Sequence, residues 1–435
     1  MTRALLYTII IILHITLFQG MFIVSFPYTV HQGGYWALFA MCFVAIICCH
    51  TGKILVDCLY EEGKDGRLIR VHTSYGDIAE QVFGKREGKP IVNEAQEIAI
   101  LMTCILYDLL CGELLKGSIP AESINLSVWI VLSTVPLLFC AFLKTMRRVS
   151  WLSLWCTIAH MLINIIIIIY CFTRVREWQP RAVKINPDIW TVPISLGIIV
   201  FSYTSQIFLP TLEGKMVKRE RFSCMMHWTH IAAAVFKVVF SWIGYVTWGE
   251  NTEEVITNNL PQALKVIVNI ILVAKALFSY PLPYFAAVEI IEKSFFQDQA
   301  KTVFPSCYRD NMSIKWWGIC LRLLLVLFTM ILAIIIPHFS LLMGLIGSFT
   351  GTMLSFVWPC VFHLYMKRET LPWYKKVIDI FIIVLGIILG AMGIYYSGRA
   401  LILAFQSRDI IPSWVPKLSL NSKGVNETMK STLMG

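Results

Sequence analysis

Long apolar runs separated by short polar segments dominate the chain. A helix needs about 20 mostly apolar residues to cross a bilayer. Eleven windows qualify: 4–30, 34–59, 91–115, 126–143, 151–172, 191–212, 223–248, 263–290, 316–337, 339–365 and 377–397. Several are longer than one straight crossing, so tilts or breaks are expected inside them. The first window reads as a spanning helix rather than a signal peptide, because its apolar run continues to Phe26 without a small-residue cleavage pattern. The pattern therefore predicts an all-α polytopic membrane protein. It has a transmembrane domain over 1–397 and a tail over 398–435.

Composition agrees. Apolar residues make up 57% of the chain and charged residues 15%, with a mean hydropathy of +0.69. A soluble domain carries about 25% charged residues. Secreted disulfide scaffolds, disordered chains and nucleic-acid binders are excluded on this ground. The lipid bilayer is the first partner. The net charge of +10 is distributed by side: with the N-terminus cytosolic, 22 Lys and Arg fall in cytosolic segments and 10 outside. That asymmetry favours an inside N-terminus and a lumenal C-terminus. The sequons Asn125-Leu-Ser127 and Asn426-Glu-Thr428 then fall on the lumenal side, where glycosylation occurs, and Asn311-Met-Ser313 does not. Most of the 13 cysteines lie within spans as small apolar residues. Cys111 and Cys171 approach lumenal ends, where a bridge between them is allowed. No Cys/His spacing reads as a metal site, and no cofactor motif appears. A membrane-embedded enzyme would need clustered catalytic groups, but no Gly-x-Ser-x-Gly, His-Glu-x-x-His or nucleotide-binding loop is present.

Shifting the windows by five exposes an internal repeat. The first and sixth begin 187 residues apart, the second and seventh 189, the fifth and tenth 188, and the third and eighth 172. Inverted repeats of this kind put the substrate where the first helix of each half is interrupted. Span one carries Gln19-Gly20-Met21 and then Phe26-Pro27. Span six carries Phe201-Ser202-Tyr203-Thr204-Ser205-Gln206 and then Leu209-Pro210. Small and polar residues followed by proline weaken the backbone ladder in both. Unwound backbone offers amide donors to a carboxylate and freed carbonyls to an ammonium, a pairing that suits an amino acid zwitterion. The plainer alternative is a kink used only for packing.

The same segments resemble the amino acid/auxin permease family. Thr73-Ser-Tyr-Gly-Asp-Ile-Ala79 and Phe83-Gly-Lys85 are similar to that family's first cytoplasmic loop. Phe201-Ser-Tyr-Thr-Ser-Gln-Ile-Phe-Leu-Pro-Thr-Leu-Glu213 resembles its vesicular inhibitory branch. So do Gln19-Gly-Met-Phe22, His227-Trp-Thr-His-Ile-Ala-Ala233, Ala274-Lys-Ala-Leu-Phe-Ser-Tyr-Pro-Leu-Pro283 and Leu342-Met-Gly-Leu-Ile-Gly347. The likeness runs from about Gln19 to about Tyr396. One departure is Thr16, which stands where the family's first helix opens with Asn. The resemblance implies an eleven-helix, leucine-transporter-like fold of two inverted five-helix halves. It also implies loading of GABA or glycine into synaptic vesicles, driven by the proton gradient of a vesicular ATPase, with chloride as a further ion. Alternatives are a lysosomal or plasma-membrane proton- or sodium-coupled carrier, or a sensor that binds amino acids without flux.

A charge in mid-membrane costs about 2.5–3.5 kcal/mol on insertion scales, so each needs a reason. Lys275 lies mid-way along span eight, one turn before Ser279 and on its face. In the implied architecture it supplies a positive charge where sodium-coupled relatives hold an ion, or a chloride site. The plainer reading is a snorkelling or paired lysine. Tyr107 in span three is placed to donate to a substrate carboxylate, or else packs as an aromatic. Asp108 points elsewhere and is a candidate partner for Lys237 or Lys275. Proton coupling needs a group that titrates between lumenal and cytosolic pH, as imidazole does near about 6.5. His160 and His230 are the candidates, set against hydrogen-bonded packing histidines. Glu213 ends span six as a proton acceptor or gate, or as a solvated partner of Lys215 or Lys218. Ile78, Ala79, Val82 and Phe83 predict a short amphipathic helix at the cytosolic surface.

Overall fold

The structure, a computed structural model, describes residues 19–63, 68–84, 87–119, 124–142, 147–180, 183–185, 187–214, 216, 219–295, 307 and 315–410. A 3-10 segment, Gln19–Ser25, leads into α1 (Phe26–Asp57). A two-stranded hairpin follows, β1 (Tyr60–Glu62) and β2 (Leu68–Arg70), paired antiparallel with Tyr60 opposite Arg70. Then come α2 (Tyr75–Phe83), α3 (Gly88–Ser118), α4 (Leu126–Thr134) and α5 (Arg147–Thr173). The second half holds α6 (Val192–Tyr203), α7 (Leu209–Gly214), α8 (Phe222–Trp248), α9 (Gln262–Ser279) and α10 (Pro281–Phe295). It closes with α11 (Trp316–Ile335), α12 (Phe339–Ile346), α13 (Trp358–Met366) and α14 (Trp373–Ile410).

Eight helical stretches among the described residues are long and apolar enough to cross a membrane, and Leu126–Phe139 and Ile158–Thr173 are shorter apolar helices. Large apolar side chains such as Ile169, Phe328, Ile331, Ile387 and Ile388 stand exposed on their outer faces. Water would not tolerate that many; lipid does. Window boundaries shift in two places. The second half of window one and all of window two form one stretch, Phe22–Asp57, interrupted at Gly34. The last helix continues past residue 397 to Ile410. Cys111 and Cys171 are both free buried thiols, so the bridge that the sequence allows is not made.

The interruptions have local causes. Pro27 sits in the first turn of α1, where its missing N–H leaves no bond unmade. Gly34 has φ 56°, and a Cβ there would strike the Lys184 carbonyl, which accepts the Tyr35 N–H at 3.2 Å. Only glycine fits both demands. Between α12 and α13 the backbone widens into π-helical turns, Gly347–Gly351 and Met353–Val357. Gly347 and Gly197 let α6 lie directly against this segment, each occupying space that a side chain would deny to the other helix.

At the end of the molecule carrying Tyr60, α2 is the amphipathic helix that the spacing indicates, with Ile78 and Ala79 buried. Ser74 and Asp77 close a capping box at its start. Asp77 accepts from Thr73 Oγ1 at 2.7 Å and the Ser74 N–H at 3.0 Å, and Lys89 Nζ lies 3.0 Å away. Burial works against its charge, but the bonds from Thr73, Lys89 and Ser74 outweigh it and hold the carboxyl well below the usual range. Tyr75 then donates to the Leu354 carbonyl at 2.9 Å, docking α2 against the widened helix.

Candidate functional site

Helix six breaks where the sequence places the weakness. α6 ends at Tyr203, Thr204 and Ser205 leave the helix, and a 3-10 turn, Gln206–Phe208, leads into α7. The hydroxyls of Ser202 and Thr204 turn back onto the carbonyls of Ile199 and Val200, at 2.6 and 3.0 Å. They satisfy their own helix. The Ser202 carbonyl is taken by a different group: Lys237 Nζ of α8 donates to it at 2.8 Å and also reaches Ser202 Oγ at 3.0 Å. That ammonium stands 3.5 Å above the Tyr203 ring and 5.4 Å from the Phe26 ring. Lys237 is 4% exposed.

Gln206 fastens the other side of the break. Its Nε2 donates to Thr51 Oγ1 at 3.3 Å and the Cys48 carbonyl at 3.5 Å, both on α1. Its Oε1 accepts from Ser355 Oγ at 2.8 Å and the Ser205 N–H at 3.0 Å. One buried amide thus joins α1, the break and the π-helical segment. The freed carbonyl and the freed amide are both held by side chains of the chain itself, an ammonium on one and an amide oxygen on the other.

Aromatic rings wall the break. Phe22 packs on Tyr107 at 5.3 Å, Phe201 at 5.5 Å and Phe339 at 5.9 Å, so one ring gathers four segments. The Tyr107 hydroxyl is hydrogen-bonded to Ser279, which brings these two predicted residues together. Below Phe22 and Phe201, toward Glu213, lies a narrow cleft bordered by Ile100, Thr103, Thr204, Ile207 and Thr350. Its free space is about 30 Å³, room for a few waters but not for an amino acid. Gln19, Gly20 and Met21 lie in the 3-10 segment, and the Gln19 and Met21 side chains fall outside the described residues.

The remaining predicted groups are spread around this centre. Lys275 is 3% exposed on α9. Asp108 is fully buried and turned toward Thr329, whose hydroxyl also meets Tyr280 Oη at 2.9 Å. It does not meet Lys237, which is engaged at the break. His160 is buried on α5, one turn from the buried Asn164. His230 stacks on Tyr203 at 6.4 Å, and its Nδ1 lies 2.9 Å from the carbonyl of Met226 on its own helix. The Tyr203 ring thus meets both Lys237 and His230, two turns apart on α8.

Glu213 is buried, not solvated. Tyr60 Oη donates to its Oε1, Arg70 Nη1 lies 3.5 Å from Oε2, and Arg219 Nε lies 3.9 Å from Oε1. Arg70 also donates to the Pro210 carbonyl at 2.8 Å, and the Arg219 guanidinium covers the Tyr60 ring at 3.2 Å. The hairpin is thereby tied across the end of α7. Lys215 and Lys218, its expected partners, lie outside the described residues. At the opposite end, Glu250 meets His31 Nε2 at 3.0 Å and Lys184 Nζ at 3.1 Å. Asn125 is exposed at the start of α4, and Asn426 lies outside the described residues.

Tyr107 and Ser279 lie together beside Phe22, and Glu213 lies at the far end of α7. Sequence reasoning located the break in helix six. It missed Lys237 as the ammonium at the break, and Gln206, Phe22, Arg70 and Tyr60 as its fasteners. The signal for Lys237 was a lysine in the middle of an apolar helix, the same signal that Lys275 gives.

Comparison with known proteins bears on this arrangement. The profile of the family described as "Transmembrane amino acid transporter protein" matches residues 7–398. The chain is 50% identical over 391 residues to the vesicular inhibitory amino acid transporter of Xenopus tropicalis, covering 89% of this chain and 76% of that protein. It is 49% identical over 392 residues to the Homo sapiens protein of the same name, at 89% and 75% coverage. It is 43% identical over 392 residues to the vesicular GABA transporter of Caenorhabditis elegans, at 90% and 79%. Among solved structures, MhsT in complex with L-phenylalanine superposes with a TM-score of 0.50 at 12% identity, over 88% of this chain and 98% of that one. That likeness is one of fold.

Proposed function

Because the chain belongs to the transmembrane amino acid transporter family, we propose that it is a secondary carrier that exchanges lumenal protons for GABA or glycine and so fills acidic vesicles. The observation that carries this reading is the Lys237 ammonium. It is buried at the break of helix six, and no carboxylate lies within ion-pair distance of it among the described residues. A buried positive charge needs an anion beside it. A substrate carboxylate supplies that anion, with chloride as the inorganic counterpart. The substrate ammonium would then lie against backbone carbonyls and the rings of Phe22, Tyr107 and Phe201, whose faces attract cations.

The names of the relatives support an inhibitory amino acid as cargo and a vesicle as location. The two matched interruptions and the near-constant window offsets support eleven spans in two inverted halves. The basic excess at the Tyr60 and Glu213 end supports a cytosolic N-terminus and a lumenal C-terminus. A vesicular proton ATPase would supply the driving gradient.

Reconstitution tests the reading. Liposomes with an acidic, positive lumen should accumulate labelled GABA or glycine, and a protonophore should abolish the accumulation. Sodium-driven uptake that ignores the proton gradient would assign the chain to a sodium-coupled carrier instead. Saturable binding without flux in correctly oriented protein would make it a sensor.

A further inference from the structure

A second set of titratable groups, which the substrate site does not use, meets at Asp379 on α14. This carboxylate is fully buried, and an imidazole holds each of its oxygens. His50 Nε2 on α1 lies 3.2 Å from Oδ1, and His363 Nδ1 on α13 lies 2.7 Å from Oδ2. The first long helix and the consecutive α13 and α14 thus converge on one acid. His363 is buried as well, whereas the His50 side chain is 32% exposed and is the triad's outermost member.

The charge count limits what this cluster holds. A carboxylate between two neutral imidazoles leaves a negative charge in a low-dielectric interior. One proton on either ring neutralises it, and a second leaves an excess positive charge. Burial favours the neutral arrangement, so the two rings compete for one proton. Neighbouring groups complete the field. Asp57 at the end of α1 and Cys58 just past it face the cluster, as does Cys360 from α13; Arg219, Lys367 and Lys375 surround Asp57, and Tyr75 of α2 faces the two cysteines. The two lysines oppose a second proton. A metal does not explain the cluster: among the described residues, no group of three or more His, Cys, Asp and Glu is arranged to hold one.

The triad touches the same helices that hold the break. His50 adjoins Thr51, whose hydroxyl receives Gln206 Nε2, and His363 lies two turns along from Ser355, which donates to Gln206 Oε1. We propose that His50, Asp379 and His363 form a proton-binding site, reached through His50 from the end of the molecule that carries Tyr60. Its occupancy sets how tightly α1 and α13 are held together around the broken helix. Its transport consequence rests on the carrier reading above and names where a coupled proton sits.

Two measurements judge it separately. In the solubilised full chain with labelled histidine rings, H50Q and H363Q identify the two imidazole signals by their loss. In a pH series, removing one ring, or the charge in D379N, should change the pH response of the remaining ring's signals. A pH response that neither substitution changes overturns the proposal whatever transport does. H50Q, at the half-exposed edge, supplies the answer if D379N does not fold.

In liposomes, D379N and H363Q should keep gradient-free exchange of labelled substrate while losing proton-driven accumulation. Accumulation at the wild-type level with the wild-type pH profile overturns the coupling role. A wild-type chain that exchanges substrate but never accumulates it under a proton gradient refutes the carrier reading, and the imidazole titration still judges the site.

Discussion

An ammonium held by a backbone carbonyl and a tyrosine face has two separable effects, charge and donor. Lys237 supplies both to Ser202 at 2.8 and 3.0 Å. Removing the donor from a buried carbonyl costs about 1–3 kcal/mol, and each ~1.4 kcal/mol is tenfold in affinity. Losing one partner of a buried charge pair costs about 2–5 kcal/mol, so Lys237→Met should weaken substrate binding by roughly thirtyfold or more, read by equilibrium binding of labelled substrate. Lys237→Gln keeps a donor and loses the charge. If the substrate carboxylate is the missing anion, K237Q should bind as poorly as K237M; wild-type affinity in K237Q would sink the anion-site reading. Asp77 offers a second residue-level test, outside the membrane. Its carboxyl is held below the ordinary value of about 3.9, so the stability it lends is complete above that pH and is lost as pH falls toward the folded value. Protection of the amides of residues 75–83, measured against the unfolded-chain exchange rate at each pH, should therefore fall on acidification. Asp77→Asn should remove that acid step; a persisting step would place its origin elsewhere.

Helices here are interrupted for reasons that differ in severity. Gly34 and Gly84 both have positive φ, 56° and 92°. A Cβ at Gly34 would collide with the Lys184 carbonyl, whereas at Gly84 nothing lies within 4 Å. Gly84→Ala should cost only backbone strain, about 1–3 kcal/mol. Gly34→Ala adds a backbone clash and should abolish the monodisperse peak in detergent chromatography. Equal behaviour of the two variants would show that the Lys184 contact does not matter. The break in helix six could be read from its own residues, because polar side chains and Pro210 weaken a helix wherever it stands. The π-helical turns of 347–357 could not. They follow from the close approach of Gly197 and Gly347 on different helices, which no local pattern encodes.

At the scale of the molecule, sidedness is the open physical variable, and one exposed residue reports it. Asn125 lies at the end of the bundle opposite Glu213, at the start of α4. With the N-terminus cytosolic, that end is lumenal and the sequon is within reach of glycosylation. The protein expressed in cells should shift on deglycosylation, and Asn125→Gln should lose that component of the shift. A sequon that stays unmodified while a site engineered beside Glu213 is modified would invert the topology. The same axis separates the two polar closures: Tyr60, Arg70 and Arg219 around Glu213 at one end, and His31 and Lys184 around Glu250 at the other.

Apolar runs and proline placement determined by themselves that this chain is a helical membrane protein and where helix six breaks. Each of these depends on residues close together in the chain. Tertiary structure alone decided which mid-membrane charge meets the break. Lys237 and Lys275 give the same local signal, and only the packing of α8 against α6 brings one of them to Ser202. It also decided that Glu213 is clamped by a hairpin, and that residues 50, 363 and 379 share one carboxylate. A sequence states each side chain's chemistry and its helical face; which faces meet is fixed by how the helices pack.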